Sequence, residues 1–187
     1  MRFVCKVRWK TFADDMKKIV VLLVLLFSIS GYAGAQNYLV GARGGSSFEK
    51  DAGYFRQAEF FAGRNLPWHW DPFLGLGLKP RVEASVGCLS GGQQDGFVGT
   101  LGPVIDVQEG KIPVVLTGGA SPTYISRYNF SELDLGGRFE FTDHLGLDWH
   151  VTKCFTVGWR FQHMSNASIY KHNPGLNLQM LSSSYSF

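Results

Sequence analysis

At 187 residues the chain is one domain's worth, long enough for a full core or a small barrel. Its formal charge of +3 belongs to the first 35 residues: six of the 18 Lys/Arg and two of the 15 Asp/Glu lie there, leaving 12 basic and 13 acidic residues in the rest. That balance excludes nucleic acid as an expected partner, and three cysteines without CxxC or Cys/His spacing exclude a zinc site.

The first element is a leader. Met16-Lys17-Lys18 forms a charged n-region, Ile19 to Ile29 a mostly apolar h-region, and Ala33-Gly34-Ala35 a small-x-small cleavage site before Gln36. Residues 1–15 look unlike any n-region, so the expected translation start is Met16, with cleavage after Ala35 and a mature domain over 36–187. Cys5 would leave with this leader. Cys88 and Cys154 fall at predicted strand ends on opposite sides of the molecule, which argues against a disulfide.

After residue 35 no stretch approaches twenty apolar residues and no window has helical period. Period-two alternation instead predicts strands over 37–46, 54–64, 77–88, 96–107, 112–121, 135–149, 154–165 and 176–187, separated by turns such as Gln108-Glu109-Gly110-Lys111. In 77–88, Val82, Ala84, Val86 and Cys88 oppose Lys79, Arg81, Glu83 and Ser85. In 135–149, Leu135, Phe139, Phe141, Leu145, Leu147 and Trp149 oppose Arg138, Glu140, Thr142, His144 and Asp148.

A soluble sandwich or lipocalin-like fold also alternates, but an even set of eight strands behind a signal peptide fits an antiparallel transmembrane β-barrel, with aromatics outside and charge in the lumen. Trp68, Trp70, Trp149 and Trp159 at strand ends suit an aromatic girdle, and a final strand closing on Phe187 resembles the terminal aromatic of outer-membrane barrels. Short periplasmic turns and periplasmic termini would put the 7–8 connection, Asn166 to Gly175, outside the cell; Leu66 to Pro72 is long for a periplasmic turn. In so narrow a barrel, lumenal Arg138, Glu140, Asp148 and Arg160 read as a packed ion-pair network rather than a channel.

The seventh strand carries the anomaly. Phe155, Val157, Trp159 and Phe161 face outward in steps of two, and the same face continues with His163 and Ser165. Residues two apart on a strand lie about 6.6 Å apart along it, within reach for an imidazole to act as general base on a serine hydroxyl. On the lipid-facing wall, at the outer rim, such a pair would meet amphiphiles of the outer leaflet, ester lipids above all. The plain alternative is two rim residues bonded to loop backbone or headgroups.

His163-Met164-Ser165-Asn166-Ala167, followed by Asn173-Pro174-Gly175, resembles the H-x-S-N-A and N-x-G signature of the outer-membrane lipid A 3-O-deacylases, the PagL-like acyloxyacyl hydrolases. The likeness is good over roughly 135–187, through Phe139 to Gly146 and Gly158 to Gln162, and faint before, with Leu66-Pro67-Trp68 its loosest part. It implies an outer-membrane serine esterase that removes the ester-linked 3-hydroxyacyl chain from lipopolysaccharide. His163 would be the base, Ser165 the nucleophile and Asn166 an oxyanion contributor, while Asn173 and Gly175 shape the loop. The family pattern has a glutamate where this chain has Asn177, which would orient the imidazole without a full charge, with Glu132 or Asp134 as substitutes. Lys171, His172 and Arg127 are ordinary loop residues or phosphate contacts. No metal or organic cofactor is implied. Lipid A and outer-membrane lipid are the expected partners, and a homodimer stays open. A non-catalytic structural or binding barrel is the competing reading.

Overall fold

The computed structural model describes residues 37–47, 54–73, 76–109 and 112–187; the expected leader, its start and its cleavage lie outside the described residues. Eight long strands dominate: β1 (Tyr38–Ser47), β2 (Phe55–Asn65), β3 (Leu76–Gly91), β4 (Gln94–Glu109), β5 (Val114–Ile125), β6 (Phe139–His150), β7 (Phe155–Ser165) and β8 (Leu176–Ser186). Each pairs antiparallel with the next, and β8 returns to β1 over Leu39↔Ser186 to Ser47↔Leu178, so the sheet closes into the expected eight-stranded barrel. Closure removes the unpaired strand edges that an open sheet would present. At the seam Tyr38 N–H donates to Phe187 O at 3.1 Å, Phe187 N–H donates to Tyr38 O at 2.9 Å, and the two rings stack.

Alternation decides what each face meets. Outside, Phe60, Leu145, Leu147, Trp159 and Leu181 are exposed in an apolar belt, with Trp149, Tyr185 and Phe187 toward the end that carries the termini. Trp68 and Trp70 are exposed in the β2–β3 connection at that same end. A belt of this kind is stable only against lipid.

Inside, mid-barrel, Arg43 pairs with Glu59 and Glu83, Arg81 with Glu83 and Asp106, and Arg160 reaches Glu59 at 3.3 Å and Glu83 at 3.8 Å. Three cations thus meet three anions in the lumen. Of the four lumenal charges expected from sequence, Arg160 alone joins this network. Asp148 lines a polar cavity on the terminal side of it, and Glu140 is buried without a hydrogen-bond partner. Arg138 is exposed, because β6 begins at Phe139 and residues 135–138 have left the sheet.

Toward the other end, which we call the loop end, the lumen turns apolar. Phe55, Leu89, Val98, Ile125, Met164, Leu176, Leu178 and Met180 meet Phe130, Leu133 and Leu135 from the β5–β6 connection. That connection folds a two-residue ribbon, Asn129–Phe130 against Leu133–Asp134, and tucks its apolar residues into the barrel mouth. Leu135, expected to face lipid, is 1% exposed and belongs to this plug. Burying each such side chain stabilises the fold by about 1.5–3 kcal/mol.

The long β2–β3 connection has a structural reason. β2 ends at the rung Asn65↔Arg81, so the start of β3, Leu76 to Pro80, overhangs its neighbour. The short strand Trp70–Phe73 pairs with this overhang at Trp70↔Leu78 and Phe73↔Leu76, and Leu66 N–H donates to Pro80 O at 2.9 Å. The connection therefore covers an edge that β2 is too short to reach. Cys88 and Cys154 are not joined in a disulfide.

Candidate active site

β7 brings His163 and Ser165 to the loop end on the outer wall. Their neighbours along the chain, Gln162 and Met164 on the strand and Asn166 just past its end, are fully buried, so the odd residues face outward by the pleat. His163 pairs across one side with Asn177 of β8 and across the other with Asp143 of β6, placing three polar side chains in one row on an apolar wall.

The Asn177 side chain holds the ring: Oδ1 lies 2.7 Å from His163 Nδ1. An amide oxygen only accepts, so Nδ1 carries the hydrogen and Nε2 keeps its lone pair for the serine side. Gly175, at φ +73°, packs under the ring; a Cβ there would stand 2.8 Å from His163 Cε1. Glycine tolerates that left-handed backbone and leaves room for the imidazole. The loop glycine singled out in the sequence thus touches the histidine directly.

Ser165 closes β7 opposite Phe141, and the chain then turns sharply. Ile169 N–H donates to Asn166 O at 2.9 Å, while Ala167 and Ser168 both take positive φ, +49° and +64°. Two consecutive non-glycine residues in this region make a type I′ turn under strain, a feature that surrounding contacts must hold. Asn166 supplies those contacts. Its backbone N–H donates to Asn173 Oδ1 at 3.0 Å, and its Nδ2 donates to Leu135 O at 2.7 Å and His172 O at 2.6 Å. One buried amide therefore ties the turn to the β5–β6 plug and to its own loop, and both of its hydrogens are engaged. Among the described residues no hydrogen bond uses the backbone N–H of Ala167 or Ser168.

The suggested substitutes for the missing glutamate do other work or lie elsewhere. Asp134 Oδ1 accepts Gly136 N–H at 2.9 Å within the plug, and Glu132 is exposed in the same loop. The carboxylate that flanks His163 is Asp143, which the sequence reading missed. The signal was present: Asp143 interrupts the apolar face of β6, Phe139, Phe141, Leu145, Leu147 and Trp149, as His163 interrupts that of β7. Arg127, Lys171 and His172 are exposed, and Arg127 Nε donates to Asp95 O at 3.1 Å.

A family model described as "Lipid A 3-O-deacylase (PagL)" matches residues 56–186. This chain belongs to that family. The match begins in β2, so the family likeness runs much further toward the N-terminus than the 135–187 stretch in which it is visible by eye. A relative named lipid A deacylase PagL, from Bordetella bronchiseptica strain ATCC BAA-588 / NCTC 13252 / RB50, is 32% identical over 121 residues. The alignment takes in 60% of this chain and 64% of the relative, so this chain matches somewhat less than two thirds of that protein's length. In structure, the barrel superposes on the outer membrane enzyme PagL with a TM-score of 0.69 at 18% identity, covering 78% of this chain and 97% of the other. Neisserial surface protein A gives 0.51 at 13% identity, over 82% and 98%. At such identities these superpositions establish the barrel fold.

Proposed function

We propose that the chain is an outer-membrane serine esterase that removes the ester-linked 3-hydroxyacyl chain at position 3 of lipid A. The observation that carries this reading, beside family membership, is the row Asp143, His163, Asn177 with Ser165 on the lipid-facing wall at the loop end. A nucleophile at that place on the outer wall is presented to an acylated lipid of the outer leaflet. The leader is read as a cleaved signal peptide starting at Met16, and the termini as periplasmic, which puts the loop end at the cell surface.

In this mechanism His163 Nε2 takes the Ser165 hydroxyl proton as Oγ attacks the acyl carbonyl. The carbonyl oxygen gains the charge of the tetrahedral intermediate. Because the Asn166 amide has both hydrogens on carbonyls, we assign the oxyanion donors to the backbone N–H groups of Ala167 and Ser168, presented by the strained turn that Asn166 holds. Collapse breaks the bond to the sugar oxygen, which receives the proton from His163. Water, activated by the same ring, then attacks acyl-Ser165 and releases the 3-hydroxy fatty acid. Asn177 fixes the tautomer, and the Asp143 charge favours the transient imidazolium that an amide cannot neutralise. All these groups come from one chain, so a monomer suffices.

The test is mass spectrometry of lipid A from an outer-membrane-bearing host expressing wild type or Ser165→Ala. Loss of one 3-hydroxyacyl chain with wild type alone is expected. Unchanged lipid A with both proteins folded in the outer membrane would refute the reaction and favour a non-catalytic barrel.

A further inference from the structure

Among the described residues, two lumenal carboxyls stand outside the charge network: Asp148, which lines the polar cavity, and Glu140, which lies at the apolar loop end. Glu140, second residue of β6, is 0% exposed, and neither of its carboxylate oxygens has a hydrogen-bond partner. Asn166 is also 0% exposed; its Nδ2 is engaged twice, and its Oδ1 has no partner.

Continuing the β6–β7 register by one position sets these two residues opposite each other. The last rung between β6 and β7 at the loop end is Phe141↔Ser165, and the next residue on each strand beyond it is Glu140 and Asn166. Residues directly opposite across an antiparallel pair have Cβ atoms about 4.5–5.5 Å apart. Three buried, unpartnered acceptor oxygens therefore lie one position beyond the same rung, at the loop end of the lumen. They can bond to one another only if one of them carries a hydrogen, which an amide oxygen cannot and a carboxyl can.

We propose that Glu140 is held in its neutral, protonated form and donates its O–H to Asn166 Oδ1, as a positioning residue for the turn that follows Ser165.

Among the described residues no donor bonds either carboxylate oxygen of Glu140, and the unpartnered lumenal donors Gln162 Nε2 and Arg160 Nε belong to residues further along the strands. Across the barrel wall Glu140 pairs with Thr123, whose hydroxyl donates to Thr142 Oγ1 at 2.7 Å. The apolar cluster at this end of the lumen includes Ile125, Leu135, Met164 and Leu176. Arg160 sits opposite Gly146, six residues along β6 and so about 20 Å away, and it is bonded to Glu59 and Gln162. His144 and Gln162, paired with each other, lie four residues along, about 13 Å. Arg138 is exposed, and Arg127 is bonded to Asp95 O. A bare carboxylate in such a place would be desolvated and unpaired, whereas the acid form needs the one acceptor that stands opposite it.

The functional consequence rests on the reading of the Ala167–Ser168 turn as the oxyanion site. Asn166 Nδ2 fastens that turn to Leu135 and His172, and the Glu140 bond to Oδ1 completes the amide's hydrogen-bonding and fixes its plane. Glutamine matches the acid in shape and in having one donor and one acceptor side, while leucine matches neither.

The experiment is infrared spectroscopy of the purified, refolded barrel, wild type against Glu140→Gln, joined to turnover of lipid A by Glu140→Gln and Glu140→Leu. The proposal expects the wild-type-minus-variant spectrum to show the C=O stretch of a protonated carboxyl. It also expects Glu140→Gln to keep kcat within about twofold and Glu140→Leu to lower it about tenfold with KM little changed, the cost of an unpaired buried acceptor. Carboxylate stretches in place of the carboxyl band, or a glutamine variant as impaired as the leucine one, would overturn it. The spectroscopic arm needs no substrate, so a wild type inactive on lipid A would refute the reaction while the band still decides the state of Glu140.

Discussion

His163, Ser165 and Asn177 would each leave a different mark on turnover. Ser165→Ala and His163→Ala should each reduce deacylation by at least about 1000-fold with the barrel intact, since nucleophile and base act as a unit. Asn177→Glu should raise kcat about tenfold, because a carboxylate in the same place accepts the Nδ1 hydrogen and also stabilises the imidazolium. Asp143→Asn should lower kcat, and by less when Asn177→Glu is also present, a non-additivity that single-turnover rates on purified lipid A would register. The roles of this row were unequally legible. Stepping by two from Phe187 puts Asn177 on the outer face, and a fixed spacing from His163 singles it out. Asp143 becomes the neighbour of His163 only through the β6–β7 register, which no local spacing encodes.

Between residue and barrel lies the loop assembly that shapes the site. The sequence predicts one strand over 135–149, whereas the structure starts β6 at Phe139 and turns residues 135–138 into part of the plug. Leu135 suits either placement, since an apolar side chain is as stable in a buried mouth as against lipid. Gly136, at φ +90°, decides it: a Cβ there would meet the Asn166 side chain at 2.9 Å and the His172 carbonyl still more closely. Gly175→Ala should cut kcat about 100-fold with a smaller change in KM, because the added carbon displaces the His163 ring and strains a left-handed backbone. Asn166→Ala should do similar harm by freeing the turn from both loops. Heat-modifiable migration on gels, unchanged in both variants, would show that the barrel itself survives.

For the whole molecule, stability rests on the closed ladder and on the six-membered charge network inside it. Removing one partner, as in Glu59→Gln, leaves Arg43 and Arg160 short of an anion in the lumen and should cost about 3–5 kcal/mol, read as a lower urea midpoint for unfolding from lipid vesicles. Replacing the whole network by apolar residues of matching volume should cost far less, because the penalty is that of an uncompensated buried charge. The alternation identified the lumenal face of β3 and the place of Arg160. It did not reveal that Arg43 and Glu59, on β1 and β2, complete the network.

By itself the sequence determined the strands, their inward and outward faces, the expectation of a closed eight-stranded barrel and the outward placement of His163 and Ser165. All of these follow from a period of two and from the chemistry of lipid against a filled lumen. What the tertiary structure alone decided is which strand positions stand side by side, where the loops insert, and which hydrogens are already engaged. Asp143 beside His163, the plug at the mouth and the doubly bonded Asn166 amide depend on register and on contacts between segments far apart in the chain. A local pattern records the environment a residue needs, and many partners can supply that environment equally well.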